Sequence, residues 1–477
     1  MKRLIMLLKL SISGANKVIN RRRIIKAESW SIEIKLDKVL GFSALKKGMY
    51  TLDKKIIVAI KKKNRILIEV YNIIIRFVRD RHLLYITALK IKAKMNPPNE
   101  LYQYSIMGVK EYCHKSQLPI RVLEKEKERL IYTPEYFGIK KAAEIQTRMS
   151  PEIYLVEMSD VDIIGSNSFL IKDKYCLYDM FSIDYYNRYD LRFASLKSIY
   201  KNKDVAIMAK DAKQEIKEAI FLLGFASCNY YHLTVELLAK LEYIDKNHDL
   251  CHLPIVVDEI IVKTPQLKQL LQVMNVKNHP IIPIKNEYKY RVKKLIYLSD
   301  CSWMPVNIKD NTSLINEDFR VSERSLKYIR DTVIAQLQIG KTDARRNIFI
   351  SRKSTKNQRL INEKEVADLF CQYGFEVICP EELSFKEQVK AFSEASYVAG
   401  TSGAALTNII YCHPEATFIC IIPKEYNFNM YATIGKTMDL QSIFLDAHVV
   451  NKGEKFYANQ FELEINYLRE FLDKLKI

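Results

Sequence analysis

From about residue 140 onward, short apolar runs alternate with segments of helical periodicity, and this alternation restricts the possible folds most strongly. In the C-terminal half, the runs NIFISR, FEVICP, YVAGTS and ATFICIIP are typical of buried strands, and the segments between them have the apolar spacing of helices. Strands separated by helices pair in parallel, because the crossover helix returns the chain to the starting end of the sheet. The pattern therefore predicts an α/β protein.

A similar series comes earlier in the chain. Residues 151–180 predict several short strands, LPIVVDEII and KKLIYLS predict further strands, and NYYHLTVELLAKLEYI and TPQLKQLLQVMNV predict helices. Two such series in 477 residues suggest two Rossmann-like domains that face one another across a cleft. The expected organisation is an extra basic N-terminal region (1–100), an N-terminal α/β domain with a strand-rich start (101–305), a linker and helix (306–345), a C-terminal α/β domain (346–450) and a C-terminal helix that packs back (451–477).

The basic residues are concentrated at the start of the chain. Residues 1–100 hold 24 Lys or Arg against 7 Asp or Glu, so +17 of the net charge of +19 falls there. Residues 64–95 interleave apolar residues with Arg and Lys, as in an amphipathic helix on an anionic membrane surface. The same pattern fits a helix packed on its own protein with a solvated basic face. Nucleic-acid binding is not expected, because no recognition motif accompanies the charge.

The cysteines and the apolar runs bear on the cellular compartment. The nine cysteines include no C-x-x-C pair, which favours reduced, buried thiols over a zinc site or a disulfide framework. No stretch approaches about 20 uncharged apolar residues, and the opening apolar run is short and interrupted by Lys9. We expect a cytoplasmic protein, held peripherally on the inner face of the cell membrane if its basic region binds lipid.

Two of the chain's 13 glycines, Gly400 and Gly403, stand in the stretch GTSGAALTN, just after the predicted strand YVAG. Open α/β sheets bind ligands beyond the carboxyl ends of their strands, and the first turn of a helix offers N–H groups to an anion. We expect the glycines to admit an anion close to the backbone. The alternative is a tight strand-to-helix turn that is capped by Ser402.

A second anion-binding feature follows the predicted strand NIFIS. Arg352 stands at its carboxyl end, and Arg359, Asn362 and Glu363 come next. Guanidinium groups bind phosphate oxygens in pairs, and Asn and Glu side chains can bind sugar hydroxyls. The alternative is a set of surface ion pairs between these arginines and nearby glutamates, each worth at most about 1 kcal/mol. Two such features at one sheet edge favour a ligand site.

The segments that carry these residues resemble glycosyltransferase family 61, once catalogued as a capsular polysaccharide biosynthesis domain of unknown function. The family pattern runs I-S-R, R-x-x-N-E, G-F, L-S-x-x-E-Q and G-x-H-G-A-x-L-T-N, and the chain follows it at 350–352, 359–363, 374–375, 383–388 and 400–408. Upstream, NYYHLTVELLAKL resembles the family's N-Y-Y-H-W-x-x-E-x-L-P-x-L segment. The resemblance covers about residues 145–430, and residues 1–100 lie outside it.

The resemblance implies a GT-B-like, inverting and largely metal-independent glycosyltransferase. The donor would be a nucleotide-diphosphate sugar, the acceptor a glycan or a lipid-linked sugar, and the product a surface polysaccharide of capsular or O-antigen type. No cofactor is required. Without a metal, the departing diphosphate needs cations and a helix N-terminus. The expected donor-binding residues, in the domain 346–450, are Arg352, Arg359, Asn362, Glu363, Gln388, Ser402, Gly403, Ala404, Ala405 and Asn408.

An inverting reaction also needs a general base near the acceptor hydroxyl. His232 and Glu236 are four residues apart on a predicted helix of the acceptor-side domain 101–305, so both can face the cleft. We expect them to be the catalytic residues. The alternatives are an interior histidine with satisfied hydrogen bonds and a glutamate on the helix surface.

The chain departs from the family pattern at two positions. Ser402 replaces the His of G-x-H-G-A, and Leu233 replaces the Trp that follows the motif histidine. A serine can donate a hydrogen bond to a phosphate, but it brings no positive charge. The alternative function is therefore a non-catalytic, glycosyltransferase-like scaffold or sugar-nucleotide sensor at the membrane surface.

Asp160 and Asp162 form a D-x-D sequence, which binds a metal and a nucleotide sugar in the other major glycosyltransferase fold. No second acidic cluster accompanies it, and a match of three residues occurs often by chance. We interpret the pair as part of a polar turn and expect no metal site.

Overall fold

The structure is a computed structural model of the chain. It describes most of residues 85–475, and the gaps within that part are 87–88, 91, 94–98, 140–143, 180–188, 202, 305–318, 341–344, 354–357, 427 and 454–457. The amphipathic helix predicted at 64–95 lies almost entirely outside the described residues. Within them, no helix combines the length and the apolar character that crossing a membrane requires.

The strands of the described residues are, in chain order, β1 (Asn99–Met107), β2 (Ile120–Glu124), β3 (Lys127–Tyr132), β4 (Ile145–Ser150), β5 (Ile153–Ile164), β6 (Leu170–Lys172), β7 (Tyr175–Leu177), β8 (Leu196–Tyr200), β9 (Asp204–Phe221), β10 (Ile255–Asp258), β11 (Ile281–Ile284), β12 (Tyr288–Leu298), β13 (Arg346–Ile350), β14 (Glu376–Ile378), β15 (Ala395–Thr401), β16 (Thr417–Ile422), β17 (Gln441–Asp446), β18 (His448–Asn451) and β19 (Gln460–Glu462). The mixed α/β class predicted from the sequence is confirmed.

The α-helices are α1 (Val109–Lys115), α2 (Leu241–Asp245), α3 (Glu259–Lys263), α4 (Pro265–Met274), α5 (Glu323–Gln336), α6 (Glu363–Gln372), α7 (Phe385–Ser393), α8 (Met430–Thr437) and α9 (Ile465–Lys474). A π-helical segment and a 3₁₀ turn, His232–Leu237 and Leu238–Lys240, lead into α2. The described residues also form four 3₁₀ segments, His248–Leu250, Pro380–Glu382, Ala404–Tyr411 and Lys424–Tyr426, and residues 85–86, 89–90 and 92–93 are α-helical.

The chain divides into two compact units. The smaller consists of Met1–Ser105 and Ser195–Asp211, and the larger of Ile106–Ala194 and Ala212–Ile477. In the described part of the smaller unit, the first half of β9 pairs antiparallel with β1 and with β8. All of the residues predicted to form the site belong to the larger unit.

The first sheet of the larger unit is mixed. Its central pair, β5 and β12, runs antiparallel from Leu155 opposite Leu298 to Ile164 opposite Lys289. Strands β2 and β6 pair antiparallel with β5, whereas β10 pairs parallel with β9 and with β11. The sheet thus departs from the all-parallel, Rossmann-like arrangement predicted for this half. The reason is visible between β6 and β7, where a connection of two residues permits only an antiparallel hairpin.

The second sheet is parallel throughout, in the order β14-β13-β15-β16-β17. It contains the four strands predicted from the C-terminal half of the sequence, and helices return the chain between them. Phe349, Phe370 and Ile419 form part of the core on one face of this sheet, together with Leu468 and Phe471 of the C-terminal helix α9. Helix α9 thus packs on the second sheet and its helix α6.

Helices α4 and α7 join the two halves of the larger unit. The amide oxygen of Gln269 in α4 accepts a hydrogen bond of 2.9 Å from the N–H of Phe385, the first residue of α7. The side chain of Gln266 donates to the carbonyl of Glu381 at 3.2 Å. These contacts hold the helix that follows β10 against the helix that precedes β15.

Candidate active site

The parallel pairing of β13 with β15 brings two predicted ligand-binding segments to one edge of the second sheet. Ile350 lies opposite Gly400, so the residues that follow each strand, Arg352 and Gly403, leave the sheet side by side. This edge is the carboxyl end of the strands, where open parallel sheets bind their ligands.

Gly403 is needed for space. A Cβ atom built on it would lie 1.8 Å from Nη1 of Arg352, whereas its φ of 172° is open to any residue. The space that the glycine frees is therefore filled by the guanidinium of Arg352. That an anion also lies close to this backbone stays a prediction. An arginine held against the strand end nevertheless places its charge at the predicted anion site.

Arg359 adds a second guanidinium to this edge. Its Nη1 donates to the carbonyl of Ser402 at 3.3 Å, and its Nε is buried without a hydrogen-bond partner among the described residues. Burial, and next the positive charge of Arg352, lower the pKa of Arg359 to about 10. With this pKa, Arg359 is charged at neutral pH, and an anion beside it would offset its repulsion by Arg352.

The 3₁₀ helix Ala404–Tyr411 begins beside the two arginines. The N–H of Leu406 donates to the carbonyl of Gly403 at 2.9 Å, so the N–H groups of Ala404 and Ala405 have no acceptor inside the helix. Tyr431 donates its hydroxyl hydrogen to the same Gly403 carbonyl at 2.5 Å. The two alanine N–H groups are the ones that a bound anion would meet.

Ser402 does not cap this helix, which rules out the alternative considered for it. The N-cap residue is Gly403, and no side chain caps the helix. Ser402 is buried, its N–H donates to the carbonyl of Ile421 at 3.1 Å, and its carbonyl accepts from Arg359. Its backbone thus links β16 to the second arginine.

Glu363 and Asn362 organise the loop that carries Arg352. Oε1 of Glu363 accepts from the N–H of Arg352 at 2.8 Å and from the hydroxyl of Ser351 at 2.7 Å. The amide of Asn362 pairs with the backbone N–H and carbonyl of Leu463. Asn362 therefore anchors the chain before α9, whereas Oε2 of Glu363 is buried without a partner among the described residues.

Gln388 and Asn408 belong to a buried hydrogen-bond chain. Nδ2 of Asn408 donates to Oε1 of Gln388 at 3.1 Å, and Nε2 of Gln388 donates to the carbonyls of Pro380 and Leu383. Oδ1 of Asn408 accepts from the hydroxyl of Tyr230 at 2.5 Å. Both amides are bonded to protein and shielded from solvent, so we assign them a positioning role in place of the predicted donor contact.

His232 and Glu236 face each other on the π-helical segment. Nδ1 of His232 lies 2.8 Å from Oε2 of Glu236, and Oε1 of Glu236 accepts from the N–H of Met304 at 2.7 Å. Both carboxylate oxygens are thus engaged, and in the part of the chain that the structure describes nothing bonds to Nε2 of His232. The histidine is the member of the pair with a ring nitrogen left for a substrate.

A small cavity lies beside this pair. Its enclosed space is about 20 Å³, the size of a single water site. The walls include Tyr178, Phe225, Ser227, Asp300 and Trp303 in addition to His232 and Glu236. Sequence reasoning missed these residues, because they stand outside the motif blocks. Only the rarity of tryptophan, with two in the chain, could have marked Trp303.

Asp258 supports the loop that lines one wall of the cavity. Its carboxylate accepts hydrogen bonds of 2.5 Å from the hydroxyl of Ser227 and from the N–H of Ser166. Burial raises the pKa of Asp258 to about 6. The buried carboxylate fixes the turn at 224–227 that follows β9.

The D-x-D sequence lies within strand β5, where a polar turn was predicted. Asp162 is ion-paired with Arg291, and Oδ1 of Asp160 lies 3.1 Å from Nζ of Lys293 on the neighbouring strand β12. Among the described residues, no group of three or more His, Cys, Asp or Glu is placed to hold a metal ion. The nine cysteines are free, and six of them are buried.

The comparison with protein families falls on these same segments. The family model described as Glycosyltransferase 61 matches residues 230–419, from Tyr230, two residues before His232, to the middle of β16. This match confirms the resemblance drawn from the motif blocks. No curated protein matches the chain significantly.

Proposed function

We propose, on the premise that residues 230–419 match the family model described as Glycosyltransferase 61, that the protein transfers a sugar from a nucleotide-diphosphate donor to an acceptor hydroxyl. The observation that carries the donor assignment is the pair Arg352 and Arg359 at one strand end, beside the first N–H groups of the helix Ala404–Tyr411. Preorganised cations and backbone donors of this kind stabilise the charge of a departing diphosphate.

The transfer step assigns separate roles to His232 and Glu236. The acceptor oxygen forms a bond to the anomeric carbon as the bond from that carbon to the diphosphate oxygen breaks, with inversion. Nε2 of His232 takes the proton of the acceptor hydroxyl, and the diphosphate leaves with the bonding electron pair. Glu236 holds the imidazole through Nδ1 and stabilises its charged form.

The wider assignments follow from the family. We propose a GT-B-like arrangement in which residues 101–305 supply the acceptor side and residues 346–450 bind the donor, with no metal or other cofactor. The acceptor would be a glycan or lipid-linked sugar in the synthesis of a surface polysaccharide of capsular or O-antigen type. A cytoplasmic location at the membrane surface, through residues 1–100, would bring the enzyme to such an acceptor.

A second candidate function is a non-catalytic scaffold or sugar-nucleotide sensor. It is favoured by Ser402, which stands where the family pattern has histidine and removes a potential charge from the donor site. In this case the two arginines would still bind a diphosphate, and no sugar would be transferred.

The donor site is tested by thermal unfolding with UDP, GDP, ADP, CDP and TDP, each with EDTA and with Mg²⁺. A diphosphate at about 100 times its dissociation constant stabilises the folded state by about 2.7 kcal/mol. We expect one nucleotide to raise the Tm without metal and this rise to vanish in Arg352→Ala and Arg359→Ala. The matched control is Arg346→Ala at the opposite end of β13, where the arginine pairs with Glu376.

The outcomes separate the two functions. A Tm rise that both site variants retain would refute the donor assignment. Where nucleotide binds, turnover of the matching sugar nucleotide identifies an enzyme, and its loss in His232→Ala with nucleotide binding retained supports the base. If a nucleotide binds but the protein neither transfers the sugar nor hydrolyses the sugar nucleotide, the protein is a sensor.

A further inference from the structure

We propose that the cavity beside His232 is the acceptor subsite and that it selects an uncharged sugar, with one hydroxyl in the cavity and the ring on an aromatic rim. This inference rests on the proposed function, because it makes the group in the cavity the hydroxyl that His232 deprotonates. It goes further because it states that the acceptor is uncharged and names the side chains that select it.

The size of the cavity limits what can enter it. A space of about 20 Å³ holds one water-sized group, which is a hydroxyl and not a sugar ring. His232 and Glu236 form part of its wall, and Nδ1 of the histidine is bonded to the glutamate, so Nε2 is the ring nitrogen that a hydroxyl in the cavity would use. The rest of the acceptor must lie outside, over the rim.

The charged groups in the wall disfavour an anion. Glu236 and Asp300 line the cavity, and no Lys or Arg of the described residues does so. Lys240 is only 2% exposed, and its Nζ is bonded to Oδ1 of Asp300 at 2.6 Å and to the carbonyl of Leu298. Arg320 pairs with the wall residue Trp303 through its backbone, is 5% exposed and does not line the cavity. The carboxylate of Asp300, which is 19% exposed, can accept a hydrogen bond from a sugar hydroxyl. A carboxylate or phosphate on the acceptor would instead meet like charge.

The rim supplies an apolar surface for the ring. Phe225 lines the cavity, and its ring centroid lies 4.9 Å from that of Phe193, which is 41% exposed. The N–H of Phe225 donates to the hydroxyl of Ser168, another wall residue, at 3.3 Å, which fixes the backbone of the rim. Aromatic faces beside a few placed polar groups are typical of small-ligand sites, and the C–H face of a sugar ring is apolar. Two carboxylate side chains in the wall, and the ring of Phe225 packed against that of Phe193, suit a neutral sugar.

Tryptophan fluorescence tests the proposal without donor or turnover. The chain has two tryptophans, Trp30 and Trp303, so a full-length Trp30→Phe variant leaves the cavity residue as the only tryptophan signal. The probes are the methyl glycosides of glucose, galactose, mannose and xylose, and methyl glucuronide. The glucuronide differs from the glucoside only in carrying a carboxylate in place of the hydroxymethyl group.

We expect at least one neutral glycoside to change the Trp303 emission saturably and the glucuronide to bind at least about tenfold more weakly. Phe193→Ala, a surface change, should weaken the neutral probe several-fold, whereas Val377→Ala on the distant strand β14 should not. Asp300→Asn should reduce the preference for the neutral probe, and Tm measurements check that each variant is folded.

Two results would overturn the proposal. One is the absence of a saturable emission change with all neutral probes up to about 0.1 M, where even millimolar sites saturate. The other is a glucuronide affinity that equals or exceeds that of the glucoside. Neither result bears on the nucleotide Tm shift, so this proposal and the proposed function can fail separately.

Discussion

Removal of one hydroxyl should separate the positioning of the catalytic helix from the binding of the donor. The change is Tyr230→Phe, two residues before His232. The lost hydroxyl donates at 2.5 Å to Oδ1 of Asn408, which in turn donates to Gln388 at 3.1 Å. These hydrogen bonds join Tyr230, which precedes the π-helical segment with its proposed base His232, to the 3₁₀ helix whose first turn lies beside Arg352.

The cost can be worked from the contacts. Asn408 is fully buried, so Tyr230→Phe leaves its carbonyl oxygen without a donor, at about 1–3 kcal/mol of folding stability. The two arginines are untouched, and donor affinity should stay constant. A shift of the base by a fraction of an ångström lowers kcat, and we expect a loss of about ten- to a hundredfold at unchanged KM for the sugar nucleotide.

Tyr328→Phe is the matched control. Its hydroxyl donates at 2.7 Å to Oδ2 of Asp245, within the packing of α5 against α2. Circular dichroism melts should show similar losses of stability in both variants, while steady-state kinetics should show a loss of kcat in Tyr230→Phe alone. Equal kcat in the two variants, or a raised donor KM in Tyr230→Phe, would refute the positioning role.

Three further changes test other parts of the site. Gly403→Ala should displace the guanidinium of Arg352 and abolish the nucleotide Tm shift, whereas Gly340→Ala, with no atom within 4 Å of the new methyl group, should leave the shift intact. Because burial raises the pKa of Asp258 to about 6, its ionisation opposes folding, and stability is lost as pH rises from about 4 through 6. In Asp258→Asn, the free energy of unfolding should lack this pH-dependent decrease of about 3 kcal/mol. Denaturant unfolding between about pH 4 and pH 7 measures it. Asp162→Asn should lower the stability of the β5–β12 pairing and leave turnover unchanged, with and without EDTA. If EDTA abolished turnover of the wild type and Asp162→Asn abolished it as well, Asp162 would be a metal ligand and the ion-pair role would be refuted.

The second sheet could be predicted from sequence because its strands and helices differ clearly in apolar period. The central strands β13, β15 and β16 are largely buried and each crossover is helical, so strand order brings Arg352 and Gly403 to one edge without knowledge of side chains. The first sheet could not be predicted in the same way. Apolar runs in β5 and β12 look the same whether their partners are parallel or antiparallel, and the short connections decide the direction.

The sequence also could not show which polar motif residues of the site are buried and bonded to the protein itself. Two elements of the family pattern turn out to shape helix ends: Gly374 has a φ of 79° after α6, and Ser384 with Glu387 forms a capping box at α7. Gln388 and Asn408 follow the same pattern but are bonded to protein. A polar residue in a motif can bind a ligand or hold the backbone that does, and only the contacts distinguish the two.

The contacts also bear on the choice between enzyme and scaffold. Ser402 removes a potential charge, yet its carbonyl holds Arg359 at 3.3 Å, and Gly403 leaves room for Arg352. The positive charge of the proposed donor site is therefore supplied by two arginines, whatever stands at 402. On the other half, His232 keeps an ordered carboxylate partner and an unbonded ring nitrogen. A sensor needs the first arrangement only, and the second has a clear use only if a proton is moved, so we favour the enzyme.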